Sequence, residues 1–282
     1  MRRTALGVRW TIGDVSERGF EALRLSIWGA WRLWGPRAAY AVCVNTVPLH
    51  AARTLTGPVP DEVLWHDATR EVPSFLRERF DEGMAEGVGW KLSPLRVFPG
   101  LHELSLDNDC ILWEEPEGLG QWLREEDTCL VAEDVRDCFG RFSHLCGPEP
   151  RNLGIRGLPP HFDLERALRE VLDEVPGILS SELDEQGMQI AALSRARALR
   201  VVTTEEVSIC SPFPPHVPHL GRCGAHFCGL NARRFSWEYY GRPAHECVHE
   251  HWARHRSTLH ERVGLTPLAA PAVQQREEAP WH

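Results

Sequence analysis

The feature that most constrains the fold is an alternation of short apolar segments with amphipathic helical segments in the first hundred residues. Residues 39–44 form a continuous apolar run, which is typical of a strand buried on both faces of a sheet. Residues 8–12 and 63–65 have the composition of two more short strands. Five apolar side chains recur at the spacing of one helical face: Phe20, Leu23, Ile27, Trp31 and Trp34. Strands separated by helices predict right-handed crossovers and an α/β fold with a mainly parallel sheet flanked by helices.

Start and stop signals define the neighbouring elements. Ser16 is placed to cap the first helix, and Gly35-Pro36 ends it. We also predict helices over residues 73–80, 165–172 and 182–200, a strand over 200–203 and a long loop over 210–228. Residues 267–282 are rich in Pro, Ala, Gln and Glu, which indicates a mobile tail. Residues 1–266 are therefore expected to form a single domain.

The overall composition excludes several classes of protein. Hydrophobic residues make up 43% of the chain and charged residues 25%, as in an ordinary globular domain. A net charge of -9 and the lack of a large arginine cluster argue against nucleic acid as a partner. No apolar run approaches the roughly 20 residues of a membrane-spanning helix. Nine cysteines without a Cys-x-x-Cys pair, and no secretory signal, favour a reduced, cytoplasmic protein.

Two aspartates stand inside an apolar stretch. Asp107 and Asp109 follow Leu104-Ser105-Leu106 and precede an apolar run over 110–113. Alternate residues of a strand face the same side, so both carboxylates can point at one place. Oxygen ligands of this kind suit Mg²⁺ or Mn²⁺. The alternative is an ordinary surface turn, because Asp-Asn-Asp is common turn chemistry. The apolar flanks favour the metal site, since uncompensated carboxylates at the end of a buried strand are costly.

Five segments, in order along the chain, resemble the glycogenin-like and bacterial galactosyltransferase-like enzymes. The segment from Thr11 resembles their opening strand, loop and helix, and Lys91-Leu92-Ser93 before the acidic pair is similar to their lysine-bearing helix and Asp-x-Asp motif. The remaining three begin at Asn152, Asp184 and His226 and resemble an Asn-x-Gly, an Asp-Gln and a His-x-x-Gly segment. The resemblance implies a Rossmann-like type A glycosyltransferase fold. It also implies a nucleotide-binding half over 1–118 and an acceptor-side half over 119–266.

The resemblance implies a hexosyltransferase-like enzyme that moves a sugar from a nucleotide-diphosphate donor, a UDP-sugar, to an unidentified acceptor. Its metal, Mn²⁺ or Mg²⁺, would be held by Asp107, Asp109 and His226, with Asp107 also facing the ribose. The implied nucleotide-binding residues are Thr11, Asp14, Lys91, Asp107, Asn152, Gly229 and Arg233. Asp184 and Gln186 would be the catalytic residues on the sugar and acceptor side.

Alternatives stay open for several of these residues. The Lys-Pro-Trp that usually follows His-x-x-Gly is missing, and Arg233 or Arg234 would have to supply the diphosphate contact. Asp14 also fits a turn residue, Lys91 a solvated lysine and His226 a structural loop histidine. Asp184 and Gln186 also fit a solvated helix start with Asp184 as its cap. A metal-dependent phosphohydrolase and a non-catalytic sugar-binding module of the same fold are the alternative functions. The many histidines and cysteines after residue 210 leave a zinc site open as well.

Overall fold

The computed structural model describes residues 5–81, 91–233 and 235–266. Its strands are β1 (Leu6–Ile12), β2 (Ala38–Val44), β3 (Val63–Asp67), β4 (His102–Leu106), β5 (Cys110–Leu112), β6 (Thr128–Glu133), β7 (Arg151–Leu158), β8 (Ala198–Val202), β9 (Val207–Ile209), β10 (Gly224–His226), β11 (Glu238–Tyr239) and β12 (Arg242–Pro243). Seven of them form a central sheet in the order β3-β2-β1-β4-β7-β6-β8. Strand β7 is antiparallel to β4 and β6, and the other neighbouring pairs are parallel. The predicted mainly parallel sheet is thus confirmed.

Helices cover the sheet. They are α1 (Glu17–Trp34), α2 (Leu49–Thr56), α3 (Ser74–Arg77), α4 (Glu117–Trp122), α5 (Leu164–Glu174), α6 (Glu182–Ala196) and α7 (Ala244–Val263). Ser16 caps α1 as predicted, since its hydroxyl accepts a hydrogen bond from the amide of Gly19 at 3.1 Å. The indole of Trp10 in β1 donates to the Ser26 hydroxyl at 2.8 Å, which donates to the carbonyl of Cys110 at 2.5 Å. These bonds fasten α1 between the central sheet and β5.

A second, three-stranded sheet lies beyond the end of β4, in the order β5-β10-β9. Strand β10 is antiparallel to β5 and parallel to β9. Helix α7 packs against this sheet through a cluster that includes Phe227, Val248 and Trp252. No helix in the described part of the chain combines the length and the apolar composition that crossing a bilayer requires.

Three elements differ from the sequence-based expectations. Helix α3 stops at Arg77 instead of Phe80. Helix α6 ends at Ala196, where Arg197 becomes extended, because the next residues pair with β6 as strand β8. The predicted loop over 210–228 contains β10 near its end. In the last two cases, pairing with a distant strand overrides the local preference of the sequence. The predicted tail lies outside the described residues.

Candidate metal centre and cavity

The two aspartates lie in a tight turn between β4 and β5. The amide of Asp107 donates to the carbonyl of Gly154 at 2.9 Å, and the amide of Cys110 donates to the carbonyl of Asp107 at 3.0 Å. The amide of Phe227 donates to the carbonyl of Asp109 at 3.0 Å. The segment is thus a turn, and the expectation of strand alternation at these residues is wrong. The two carboxylates nevertheless converge, because β7 and β10 hold the turn from both sides.

His226 at the end of β10 completes a cluster with Asp107 and Asp109. One ligand atom from each of the three residues lies within 4.8 Å of the other two. The imidazole Nε2 is 3.5 Å from Oδ2 of Asp107 and 3.3 Å from Oδ1 of Asp109. The Asp109 side chain is 4% exposed and the His226 side chain 9%. Two carboxylates and one imidazole in this arrangement fit a divalent cation such as Mn²⁺.

Lys91 shares Asp107 with this cluster. Its ammonium nitrogen lies 2.8 Å from Oδ2 of Asp107. Burial by itself would raise the pKa of Asp107, but Lys91 and His226 outweigh it and hold the pKa below the ordinary value for aspartate. Burial likewise opposes the charge on Lys91, but the carboxylates of Asp107 and Glu185 raise the pKa of Lys91 above its usual value. Lys91, Asp107, Asp109 and His226 therefore form an ion-paired cluster.

The charge on the His226 imidazole also depends on burial and on its neighbours, which act in opposite directions. Burial disfavours the imidazolium, but Cys228 and the carboxylates of Asp107 and Asp109 outweigh this and raise the pKa of His226 well above 6.5. The sulfur of Cys228 lies 3.7 Å from both ring nitrogens. A metal ion at this place must therefore displace a proton from His226, because only the neutral imidazole is a ligand.

A reciprocal pair of amides fixes the back of the turn. Asn108 donates to the side-chain oxygen of Asn231 at 2.7 Å, and Asn231 donates back at 3.0 Å. Asn108 also donates to the carbonyl of Gly19 in α1 at 3.1 Å, and Asn231 reaches Oδ2 of Asp109 at 3.4 Å. The hydroxyl of Ser16 donates to the carbonyl of Leu230 at 2.8 Å. The acidic turn, the first turn of α1 and the loop after β10 thus form one unit.

A cavity of about 380 Å³ opens in front of the cluster. The cavity is lined by eight predicted site residues: Thr11, Lys91, Asp107, Asp109, Asn152, Gln186, His226 and Gly229. Further lining side chains are Asn108, Asp134, Arg136, Cys138, Glu182, Leu183, Glu185, His216, Cys228 and Asn231. The structure therefore brings residues from both halves of the chain to one place. Five of the lining residues are acids, so the cavity is suited to a ligand that arrives with a cation.

Asp14 and Arg233 are not among the lining residues. They form a two-pronged ion pair, with Nη1 of Arg233 2.9 Å from Oδ2 of Asp14 and Nη2 2.5 Å from Oδ1. Arg233 also donates to the carbonyl of Val15 at 3.2 Å. The hydrogen bond from Arg233 lowers the pKa of Asp14, although partial burial opposes this. In this structure the pair joins the loop after β1 to the loop after β10, and a contact of either residue with a nucleotide stays a prediction.

Asp184 also points away from the cavity. Its carboxylate accepts hydrogen bonds from the amides of Arg141 at 3.0 Å and Ser180 at 3.2 Å, so each of its oxygens is bonded to a backbone amide. Ser181 caps the helix. Glu185, which follows Asp184 in α6, lines the cavity instead of Asp184. Neighbouring residues of a helix are about 100° apart, which explains why Asp184 and Glu185 face different sides.

Glu185 is the most informative residue that the sequence-based reasoning did not select. It is 2% exposed, and burial raises its pKa to about 7, although Lys91 partly opposes the shift. One turn later, Gln189 donates to Glu185 and accepts from Arg156 of β7. The segment Asp184-Glu185-Gln186 contains both acids, but only the orientation of α6 shows that Glu185 and not Asp184 faces the cavity. Asp134 and Arg136 come from a stretch that carried no recognisable signal, and His216 was recognisable only as one of the many histidines after residue 210.

Neither family sequence models nor a search of curated proteins gives a match to this chain. Solved structures match over most of its length. The galactosyltransferase LgtC, solved with donor and acceptor sugar analogues, is 11% identical with a TM-score of 0.51, covering 93% of this chain and 97% of that chain. Mouse xyloside xylosyltransferase 1 is 10% identical with a TM-score of 0.53, covering 82% and 100%. The bifunctional glycosyltransferase WbbM is 15% identical with a TM-score of 0.51, covering 92% and 52%.

These similarities define the architecture. The chain has a type A glycosyltransferase fold, with a mostly parallel central sheet flanked by helices, as the resemblance of its five segments predicts. At this level of identity the similarity concerns the fold, because one fold can carry many activities. The activity depends on the residues that line the cavity.

Proposed function

We propose that this protein is a metal-dependent glycosyltransferase that takes a sugar from a UDP-sugar and transfers it to an acceptor. The observation that carries the proposal is the convergence of Asp107, Asp109 and His226 at a cavity in a fold shared with glycosyltransferases. The cavity lies beyond the carboxyl end of β4, where open α/β sheets bind their ligands. Mn²⁺ suits the mixed oxygen and nitrogen donors better than Mg²⁺, which prefers oxygen alone.

Each member of the cluster has a distinct part in this proposal. Asp109 has the most buried side chain of the three, and Asn231 bonds one of its oxygens while Phe227 bonds its backbone carbonyl. Asp107 is shared with Lys91, which places a positive charge beside the cation position. When bound, the cation would neutralise the charge that develops on the leaving diphosphate. Lys91 adds to the same electrostatic stabilisation from the protein.

The cavity also presents polar side chains that can bind a sugar. Asn152 donates to Asp134 at 3.1 Å and accepts from the amide of Gly154 at 2.7 Å. Gln186 donates to the carbonyl of Cys138 at 3.0 Å. Amides and carboxylates held in this way can pair with the hydroxyl groups of a sugar without losing rotational freedom on binding. We therefore assign Asn152, Glu185 and Gln186 to the sugar and acceptor side.

The proposal is tested by following the products of UDP-sugars incubated with the protein, Mn²⁺ and a panel of glycoside acceptors. Transfer gives UDP and a lengthened acceptor in equal amounts, and both products should disappear with a chelator. Release of inorganic phosphate from the nucleotide would instead indicate the phosphohydrolase. Metal-dependent binding of UDP without turnover across the panel would indicate a binding module. Asp109→Asn is the matched inactive control, because it keeps the size of the side chain and removes the charge.

A further inference from the structure

A second set of potential metal ligands lies between α7 and the strand that carries His226. It consists of Cys210, directly after β9, and of His251 and His255 in α7. One ligand atom from each of the three lies within 4.8 Å of the others. The sulfur of Cys210 is 3.3 Å from Nε2 of His251. None of these residues lines the cavity or takes part in the proposed transfer.

The fold holds each ligand in place by contacts of its own. The amide of Cys210 donates to the carbonyl of His226 at 2.8 Å, so its backbone is fixed to β10. His251 and His255 are four residues apart in α7 and lie on the same face, with ring centroids 4.8 Å apart. Phe227 packs against both rings, with centroids 6.0 Å from each. The arrangement is therefore built from one loop and one helix that otherwise meet through apolar contacts.

We propose that Cys210, His251 and His255 bind a zinc ion that fastens α7 to the second sheet. One thiolate and two imidazoles are ligands that zinc prefers, and two histidines one helical turn apart are a common way to present them. The separation of 3.3 Å between sulfur and nitrogen is close to the spacing of two ligands around one tetrahedral zinc ion.

The burial of the three residues and the contact of His255 with a backbone carbonyl support the same assignment. Cys210 and His251 are 1% and 2% exposed, while His255 is half-buried and leaves a side from which an ion can enter. Nε2 of His255 lies 3.0 Å from the carbonyl of Pro218, the kind of contact that orients a zinc-binding imidazole through its other nitrogen. Binding replaces the proton of the Cys210 thiol with the ion, so one proton is released to solvent from that group. The described residues supply three ligands, which leaves the fourth tetrahedral position to water.

This site would have a consequence for the cavity. Cys210 is bonded to the backbone of His226, and Phe227 lies between α7 and the acidic turn. A zinc ion would therefore brace the strand that supplies a ligand to the other centre. The two centres differ in chemistry, because the cavity site presents two carboxylates and the second site presents a sulfur.

The test is substitution with Co²⁺, which reports sulfur ligation by a charge-transfer band in the near ultraviolet. The full-length protein should bind about one zinc ion per chain that survives dialysis against excess Mn²⁺, and the cobalt form should show the band. Cys210→Ser should abolish the band and the zinc content. Cys223→Ser is the matched control, because Cys223 is equally buried but outside the cluster, and it should retain both.

Two further variants keep the test decisive if Cys210→Ser fails to fold. His255→Ala, at the more exposed ligand, should lose zinc, whereas His249→Ala on the same helix should keep it. A zinc-selective chelator added in excess Mn²⁺ should then lower the Tm of the wild type and leave the Tm of His255→Ala unchanged. Zinc retained by both Cys210→Ser and His255→Ala, or lost in Asp109→Asn, would overturn the proposal. A wild-type protein that takes up no zinc under these conditions would overturn it as well.

Discussion

Gly154 in β7 faces the imidazole of His226 so closely that a Cβ atom on it would lie 2.4 Å from the ring atoms Nδ1 and Cε1. The same strand position carries the carbonyl that accepts the amide of Asp107. A glycine is therefore required where the ring passes over the backbone, since no real Cβ contact is that short. The contact links the Asn-x-Gly segment of the sequence to the candidate metal site.

Gly154→Ala should displace His226 and weaken Mn²⁺ binding. The inserted methyl group also crowds the core, for which we expect a loss of about 1–3 kcal/mol in the free energy of unfolding. Calorimetric titration of Mn²⁺ and urea unfolding measure the two effects. Gly100→Ala is the control, because nothing lies within 4 Å of its Cβ position, and it should change neither quantity. Unaltered Mn²⁺ affinity in a folded Gly154→Ala protein would remove His226 from the ligand set.

Asp109→Asn should separate activity from stability. Losing a charged ligand that stabilises the leaving diphosphate by roughly 4 kcal/mol would slow transfer about a thousandfold. If repulsion between the carboxylates of Asp107 and Asp109 were the only effect, the substitution would leave the free energy of unfolding equal or higher. The structure changes that expectation, because Asp109 faces His226 at 3.3 Å and the substitution removes a partner of the imidazolium. We expect a small loss of metal-free stability, measured by urea unfolding in chelator.

Transfer at near-normal rates by Asp109→Asn would contradict the metal-ligand role. Unfolding of the variant would instead make the Asp107–Asp109 turn a structural element. A size-matched comparison is Asn108→Asp, which adds charge to the turn and breaks the reciprocal bond with Asn231. It should lower stability more than Asp109→Asn does, since it buries an unpaired charge.

The pH dependence of metal-free stability should report His226. Its pKa in the folded protein is raised well above 6.5. A raised pKa stabilises the folded state fully below the unfolded value, about 6.5, and this contribution is lost as pH rises through the folded-state value. The free energy of unfolding, measured in chelator, should therefore fall over that window in the wild type and much less in His226→Gln. Parallel pH profiles for the two proteins would contradict the ion-paired cluster.

Lys91→Gln should affect metal and nucleotide in opposite directions. The ammonium group lies 2.8 Å from Asp107 and competes with a cation for the same oxygen, so its removal should strengthen Mn²⁺ binding without nucleotide. UDP binding in saturating Mn²⁺ should become weaker, because a positive charge beside the diphosphate is lost. Calorimetry with each ligand in turn measures both. A solvated lysine without a role in the site would leave both affinities unchanged.

The sequence was sufficient to predict the helices and strands whose residue pattern depends only on local segments. The apolar run of β2 and the one-sided apolar spacing of α1 predicted both elements to within a residue. The end of α6 could not be predicted, because residues after Ala196 have good helical propensity and become a strand only by pairing with β6. The same holds for β10, whose partners β5 and β9 are distant or separated by a loop.

The candidate site shows the same division. The acidic pair and His226 were recognisable from short segments, and the fold brings them together. The orientation of Asp184 was not recognisable, since the sequence does not fix which face of α6 meets the cavity. The pairing of Asp14 with Arg233 depends on two loops that are far apart in the chain. Side-chain direction in loops and at helix starts follows from tertiary packing, which short segments do not encode.

The measurement that tests the central claim most directly is calorimetric titration of UDP into the wild type and Asp109→Asn, each with Mn²⁺ and with a chelator. If Asp107, Asp109 and His226 hold the cation that meets the diphosphate, wild-type UDP affinity should be much higher with Mn²⁺ than with chelator. The two conditions should give nearly the same weak affinity in Asp109→Asn. Equal UDP affinity of the wild type with and without Mn²⁺ would contradict the account.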